Sequence, residues 1–284
     1  MNGKRWKGWL WAILGASLFS TGAVLVRLAT SVSPWAVTSF RLLFGAAFVA
    51  LFAGLAGQEL KVARRGLLPL VPIGAITALH FFCFVASLYL TTIAHSLTLT
   101  YTAPIFVAFL SHLVLKEPLK PRKYGGIALA ILGISIMAGF EPEMSWRMAA
   151  GDLLALLSAI SFGFYSVWGR GIGSRFPLFQ YTFWIYLLAG AFTLPPALLS
   201  LSGPFPGRAW LAVLSLGLLP LASGHTLYNA ALRLIPPTYV NLIASQEVSG
   251  GILLGWLILQ EAPGLNSIVG CLITLSGIIL TIVL

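Results

Sequence analysis

Charge is what this chain has least of. Only 8% of its 284 residues are Asp, Glu, Lys or Arg, and only seven are acids, whereas a soluble domain carries about a quarter. No charged residue stands between Arg65 and Lys116, a neutral stretch long enough for two membrane crossings of ~20 residues each. That scarcity excludes a soluble globular enzyme and, with 58% hydrophobic residues, marks an integral membrane protein. Cysteine is nearly missing too. Cys83 and Cys271 both lie in apolar runs, so no disulfide framework or metal spacing follows, and both read as small packing residues. There is no nucleophile motif, no H-E-x-x-H pair, no phosphate-binding loop and no dinucleotide fingerprint. The hydrophilic loops are too short for a catalytic domain. The expectation is therefore no enzyme, no cofactor, no metal and no ATP-driven step within this chain.

What charge there is carries information. The net charge of +10 would suit a nucleic-acid partner if the cations clustered on one face. Instead they sit in short hinges between apolar runs, which points to a lipid bilayer and not to nucleic acid. The opening MNGKRWKGWLWAILGASLFSTGAVLV has the basic start and apolar body of a signal peptide but no clear small-x-small cleavage site, and it reads as a retained first helix. Apolar windows bounded by charge, Pro or Gly give ten spans, near 9–29, 34–54, 67–88, 95–115, 122–140, 151–171, 177–201, 208–232, 236–259 and 265–283. An outer-membrane barrel would show alternating ten-residue segments instead.

Thirteen Lys and Arg residues fall on one side of these spans: Lys4, Arg5, Lys7, Lys61, Arg64, Arg65, Lys116, Lys120, Arg122, Lys123, Arg170, Arg175 and Arg233. Arg27, Arg147 and Arg208 fall on the other, and Arg41 lies within a span. Both termini are thus expected in the cytoplasm. Sliding the chain against itself by 143 or 144 positions superposes Arg27 on Arg170, Pro34 on Pro177, Gly74 on Gly217, Leu88 on Leu232, Glu117 on Glu261, Gly126 on Gly270 and Gly133 on Gly277. Duplication is the better explanation of that nearly constant offset. The expected fold is an all-α integral membrane protein of ten transmembrane helices in two five-helix repeats, 1–143 and 144–284. Because five is odd, the second repeat is inverted, an arrangement that places a carrier's substrate near the midplane.

The stretches TAPIFVAFLSHLVLKEPLKPRKYGGIALAILGISIMAG and SQEVSGGILLGWLILQEAPGLNSIVGCLITLSGIIL resemble the drug/metabolite transporter superfamily, in its ten-helix EamA-type branch. The likeness runs over essentially the whole chain. Members commonly carry a mid-span Pro in the fourth helix of each half and end it in Gly-Glu before a Gly-rich fifth helix; Pro104, Glu117 and Glu261 match. Lys116 and Gln260 replace the usual glycines, a minor change at a helix end. Val248 stands where the second Pro would fall, which removes the reason to expect a break in the ninth span. SFRLLFGAAF around Arg41 also resembles the family's second helix, although its repeat mate is Trp184. The resemblance implies transport of a small solute, often export of amino acids or related metabolites, by alternating access.

Several residues stand out as able to carry transport. Glu247, with Gln246 beside it, lies about eleven residues, or ~16 Å, from either end of its span. A carboxyl there needs a wet cavity, a partner or a proton, so it is read as a proton-exchanging group or as a fixed packing bond. His80 and His225 occupy nearly equivalent repeat positions within the membrane and are read as proton relays, ligands or interhelical hydrogen bonds. Asn229 shares a helix face with His225. Arg41, about seven residues or ~10 Å from its helix end, has three readings: snorkelling outward, holding a substrate carboxylate, or neutralising Glu247. Tyr101, on a stripe with Thr98 and Ile105, and Tyr165 and Trp168, on a stripe with Ser161, are read as cavity lining or as packing. Gly251 and Gly255 form a small-xxx-small contact face.

The leading expectation is a secondary-active exporter of small polar metabolites such as amino acids, driven by protons or a counter-solute. A second is a carrier of choline or other quaternary amines, with Glu247, Tyr101, Tyr165 and Trp168 as an anionic aromatic cage. A third, from another class, is a membrane interaction protein with no transport cycle. Oligomeric state is left open.

Overall fold

The computed structural model describes residues 5–116, 121–137, 145–201, 203–262 and 264–283, so the expectations placed on Lys4, Glu117 and Lys120 lie outside it. Those residues are helical throughout, with short connections and no strand among them. In chain order the helices are α1 Arg5–Phe19, α2 Gly22–Leu28, α3 Pro34–Leu55, the single turn α4 Arg64–Leu67, α5 Leu70–Leu90, α6 Ile93–Thr100, α7 Ala103–Leu110, α8 Lys123–Met137, α9 Trp146–Gly171, α10 Leu178–Leu199, α11 Gly207–Leu216, α12 Thr226–Leu232, α13 Pro237–Ala244, α14 Gln246–Leu259 and α15 Leu265–Val283. Wide π-helical turns continue α7 over Ser111–Leu115 and join α11 to α12 over Gly217–His225. Joined end to end, these pieces make eight rods long and apolar enough to cross a membrane: 5–28, 34–55, 70–90, 93–115, 146–175, 178–199, 207–232 and 237–259. The fifth and tenth expected spans are the shorter apolar stretches Lys123–Gly133 and Ile268–Gly277, within α8 and α15.

Local chemistry sets where the rods start. Ser33 accepts a hydrogen bond from the Ala36 amide with Pro34 in the first turn. Thr92 caps α6 through His95, and Ser145 caps α9 through Met148. Each side-chain oxygen satisfies an amide that the helix itself leaves unpaired.

Three rods break near mid-depth. α1 and α2 part at Ser20 and Thr21, whose hydroxyls turn back onto the carbonyls of Ala16 and Leu18. α6 and α7 part at Tyr101 and Thr102, just ahead of Pro104, and Thr102 bonds the Leu99 carbonyl. The absence of a second proline gave no reason to expect a break in the ninth span, yet α13 and α14 part at Ser245, whose Oγ donates to the Leu242 carbonyl at 2.6 Å. A serine back-bond competes with the helical amide for the same carbonyl region and loosens the turn without any proline.

The replaced glycines also matter more than expected. Lys116 and Gln260 have φ of 53° and 59°, and among the described residues no other non-glycine residue has a positive φ. Both end their helices in the left-handed conformation that glycine adopts without a Cβ clash.

The rods pack as a bundle in which α10 lies on α3 and α5, α9 on α5, α6 and α7, and α1 on α12, α13 and α14; α8 and α15 form a pair. Close approaches come in reciprocal sets. Gly8 lies against Leu234 and Ile235, as Gly151 does against Leu90 and Thr91. Gly74 meets Leu188, and Gly217 meets Phe44 and Gly45. Gly133 meets Gly270 and Thr274, while Gly277 meets Gly126 and Ala130. Within each half, an arginine binds a helix-end carbonyl at 2.6 Å: Arg27 to Leu88 and Arg170 to Leu232. In every set both partners step by 143 or 144 positions, as contacts between two halves related by a two-fold axis do.

Candidate functional site

The broken rods frame a cavity in the middle of the bundle. Arg41 comes from α3, His80 with Phe81 and Phe84 from α5, Tyr101 from the α6–α7 break, His225 from the end of the π-helical turn, and Glu247 from α14. Phe19 and Gly22 flank the first break, and Phe162 of α9 completes the aromatic wall. The cavity volume is about 20 Å³, room for roughly one water. This is a closed conformation, so a solute larger than water enters only when the rods move apart.

A guanidinium and a carboxyl group line this space. Arg41 is only 2% exposed, and its Nε and Nη1 are buried without a hydrogen-bond partner. It therefore does not snorkel outward. Its guanidinium carbon sits 4.5 Å from the centre of the Phe81 ring, a cation–π contact worth about 2 kcal/mol when desolvated. Burying an uncompensated cation costs more than that, and a carboxylate held by the guanidinium fork would relieve it. Glu247, 6% exposed, accepts a hydrogen bond on Oε2 from the Tyr101 hydroxyl, which is itself buried. The described ion pairs, Arg27 with Glu261 and His95 with Asp152, include neither Arg41 nor Glu247. On the third reading, neutralisation of Glu247, the two groups line one cavity without a direct ion pair between them. Gly22 lies beside the carboxylate, where a Cβ would stand 3.5 Å from Glu247 Oε1, an ordinary contact distance.

The two histidines are held differently. His80 Nδ1 lies 2.9 Å from the Ser158 hydroxyl and 3.1 Å from the Ser158 carbonyl, tying α5 to α9. The His225 ring packs 4.3 Å from Phe19 and 5.0 Å from Phe81 by ring centres, and its buried Nδ1 has no partner.

Not every residue singled out by sequence reaches the cavity. Asn229 lies behind it, donating to the His225 carbonyl at 2.7 Å and to the Tyr165 hydroxyl at 2.5 Å. Tyr165 is fully buried in that layer, its ring 6.0 Å from Phe162. Trp168 is three residues further along α9 and packs on Phe164 at 5.6 Å. Gln246 faces a separate cavity at the side of the bundle. On the Tyr101 stripe, Thr98 is buried but Ile105 is 41% exposed, because the break at Tyr101 turns the helix face. Gly251 and Gly255 do serve close packing, against Leu97 and Ile93 of α6. Sequence reasoning passed over Phe19, Phe81, Phe84, Phe162 and Gly22. The spacing of His80 and Phe84, one helical turn apart, was the one signal available.

The EamA-like transporter family profile matches this chain twice, over residues 6–139 and 149–283. An aromatic amino acid exporter, YddG of Ancylobacter novellus, is 30% identical over 233 residues, spanning 79% of this chain and 76% of that protein. An uncharacterized transporter of Bacillus subtilis, YdfC, is 25% identical over 88% of this chain and 82% of its own, and one from Archaeoglobus fulgidus is 24% identical over 94% and 93%. A solved crystal structure superposes with a TM-score of 0.82 at 21% identity, covering 98% of this chain and 97% of its own, which speaks to the fold alone. With both halves matched and the helical bundle in place, the chain is a multi-pass membrane protein that belongs to the EamA-like transporter family.

Proposed function

We propose that this protein is a secondary-active exporter of amino acids with large aromatic side chains, working by alternating access and coupled to protons through Glu247. The observation that carries the reading is the pairing of Arg41, whose Nε and Nη1 lack hydrogen-bond partners, with Glu247 across a cavity walled by Phe19, Phe81, Phe84 and Phe162. A zwitterion offers a carboxylate to the first and an ammonium to the second, and its ring suits an aromatic wall. The relative named an aromatic amino acid exporter supports the same class. In this reading the chain crosses the membrane ten times, with α8 and α15 as the fifth and tenth spans, both termini in the cytoplasm, and residues 1–143 and 144–284 as inverted repeats. A proton on Glu247 and the substrate ammonium are alternative ways to neutralise one carboxylate, which links their fluxes.

A purely cationic solute such as choline fits less well, because Arg41 lines the same cavity and Trp168, expected in its aromatic cage, lies outside it. The reconstituted protein should move labelled phenylalanine against its own gradient when protons flow down theirs in the opposite direction, and Glu247→Gln should leave exchange without its pH dependence. Unchanged pH dependence in that variant would remove the coupling role.

A further inference from the structure

A second cavity, of about 660 Å³, opens at the side of the bundle, within the range of small-molecule sites. One end of it is basic. Arg5 starts α1, Lys123 starts α8, and the Lys123 ammonium lies 4.9 Å from the centre of the Tyr239 ring at the start of α13. All three stand at the end of the bundle where the basic residues gather, and among the described residues no acid lines the cavity. Trp6 and Trp9 flank that end, as amphipathic rings do at headgroup depth. Deeper in, the walls turn apolar, with Ile13, Ile243 and Leu275. The outer side faces the bilayer: Trp6 is 50% and Ile279 61% exposed. α1 packs on α12, α13 and α14, whereas α15 packs chiefly on α8, so the cavity lies in the seam between those two groups.

We propose that this seam is a binding site for an anionic phospholipid, with its phosphate between Arg5 and Lys123 and one acyl chain along Ile13, Ile243 and Leu275. Arg5 and Lys123 together favour an anion over a zwitterionic headgroup, and the apolar depth requires a tail that free phosphate lacks. Gln246 also lines this cavity, and it follows the break at Ser245 and precedes Glu247. A bound lipid therefore touches the same helix break that carries the transport carboxylate, through the neighbouring residue. This assignment stands on the seam alone and does not depend on what the central cavity carries.

Native mass spectrometry of the full chain in neutral detergent, with phosphatidylglycerol and phosphatidylcholine of equal chain length in competition, tests it. Wild type should retain one phosphatidylglycerol in preference. Each cation removed, in Arg5→Gln and Lys123→Gln, should weaken that preference roughly fivefold, and Arg208→Gln at the opposite end should not. Ile13→Trp, which fills the apolar wall with both cations in place, should also lower lipid retention. Glycerol 3-phosphate should not compete. Equal retention of the two lipids by wild type, a preference that survives loss of both cations, or competition by glycerol 3-phosphate as effective as that of the lipid would overturn the proposal.

Discussion

At the scale of single residues, the account turns on Arg41. Its planar fork can hold a carboxylate through two parallel hydrogen bonds, and a lysine offers one point charge on a flexible stem. Arg41→Lys should therefore raise the apparent KM for phenylalanine by about ten- to a hundredfold, corresponding to ~1.5–3 kcal/mol for a charge-assisted bond, with protein abundance unchanged; transport assays on purified protein check this. Arg41, Glu247, His80 and His225 were legible because a polar group in an apolar run has few structural explanations. The phenylalanines were not, since a cavity-lining ring and a packing ring look alike in sequence. Gln246 and Glu247 show the finer limit. Adjacent helix residues point about 100° apart, so one faces the central cavity and the other the lipid-side seam, and nothing in the local sequence says which.

At the scale of helices, two departures from regular geometry set testable stabilities. Gln260 holds φ of 59° at the end of α14, a conformation that costs a residue with a Cβ about 1–2 kcal/mol. Gln260→Gly should stabilise the purified protein by roughly 1 kcal/mol, visible as a higher Tm, whereas an unchanged or lower value would mean that the Gln260 side chain compensates. The α8–α15 pair gives the opposite sign. A Cβ on Gly133 would fall 2.4 Å from the Thr274 amide nitrogen, within backbone that cannot yield. Gly133→Ala should thus destabilise by about 1–3 kcal/mol, while Gly125→Ala, with nothing within 4 Å, should not; thermal unfolding of the two variants side by side separates them. Helix positions were readable from hydropathy and charge because each span must stay apolar over its length. The break at Ser245 was not readable, because attention fell on the missing proline and a hydroxyl back-bond leaves no distinctive pattern.

For the whole molecule, the reciprocal contacts imply two related closures. Arg27 fastens one end of the bundle through the Leu88 and Thr91 carbonyls and Glu261, and Arg170 fastens the other through Leu232. Loss of either should favour opening at its own end. A cysteine placed at Thr100, which lines the central cavity, should be labelled faster from the Arg27 side in Arg27→Gln and faster from the Arg170 side in Arg170→Gln, each by about tenfold. Equal change from both sides would contradict a two-ended gate. The duplication was visible in the sequence as a nearly constant offset, because two copies keep corresponding glycines and arginines wherever the same contact is made twice. What the central cavity selects was not visible, since it depends on which side chains from seven rods meet.

The most direct measurement is therefore counterflow of labelled phenylalanine in proteoliposomes, with unlabelled analogues that each lack one charge. The zwitterion site requires competition by phenylalanine and tryptophan and little by phenethylamine, which has no carboxylate, or by 3-phenylpropionate, which has no ammonium. Competition by either single-charge analogue equal to that of phenylalanine would show that Arg41 and Glu247 do not jointly hold the substrate, and would contradict the assignment.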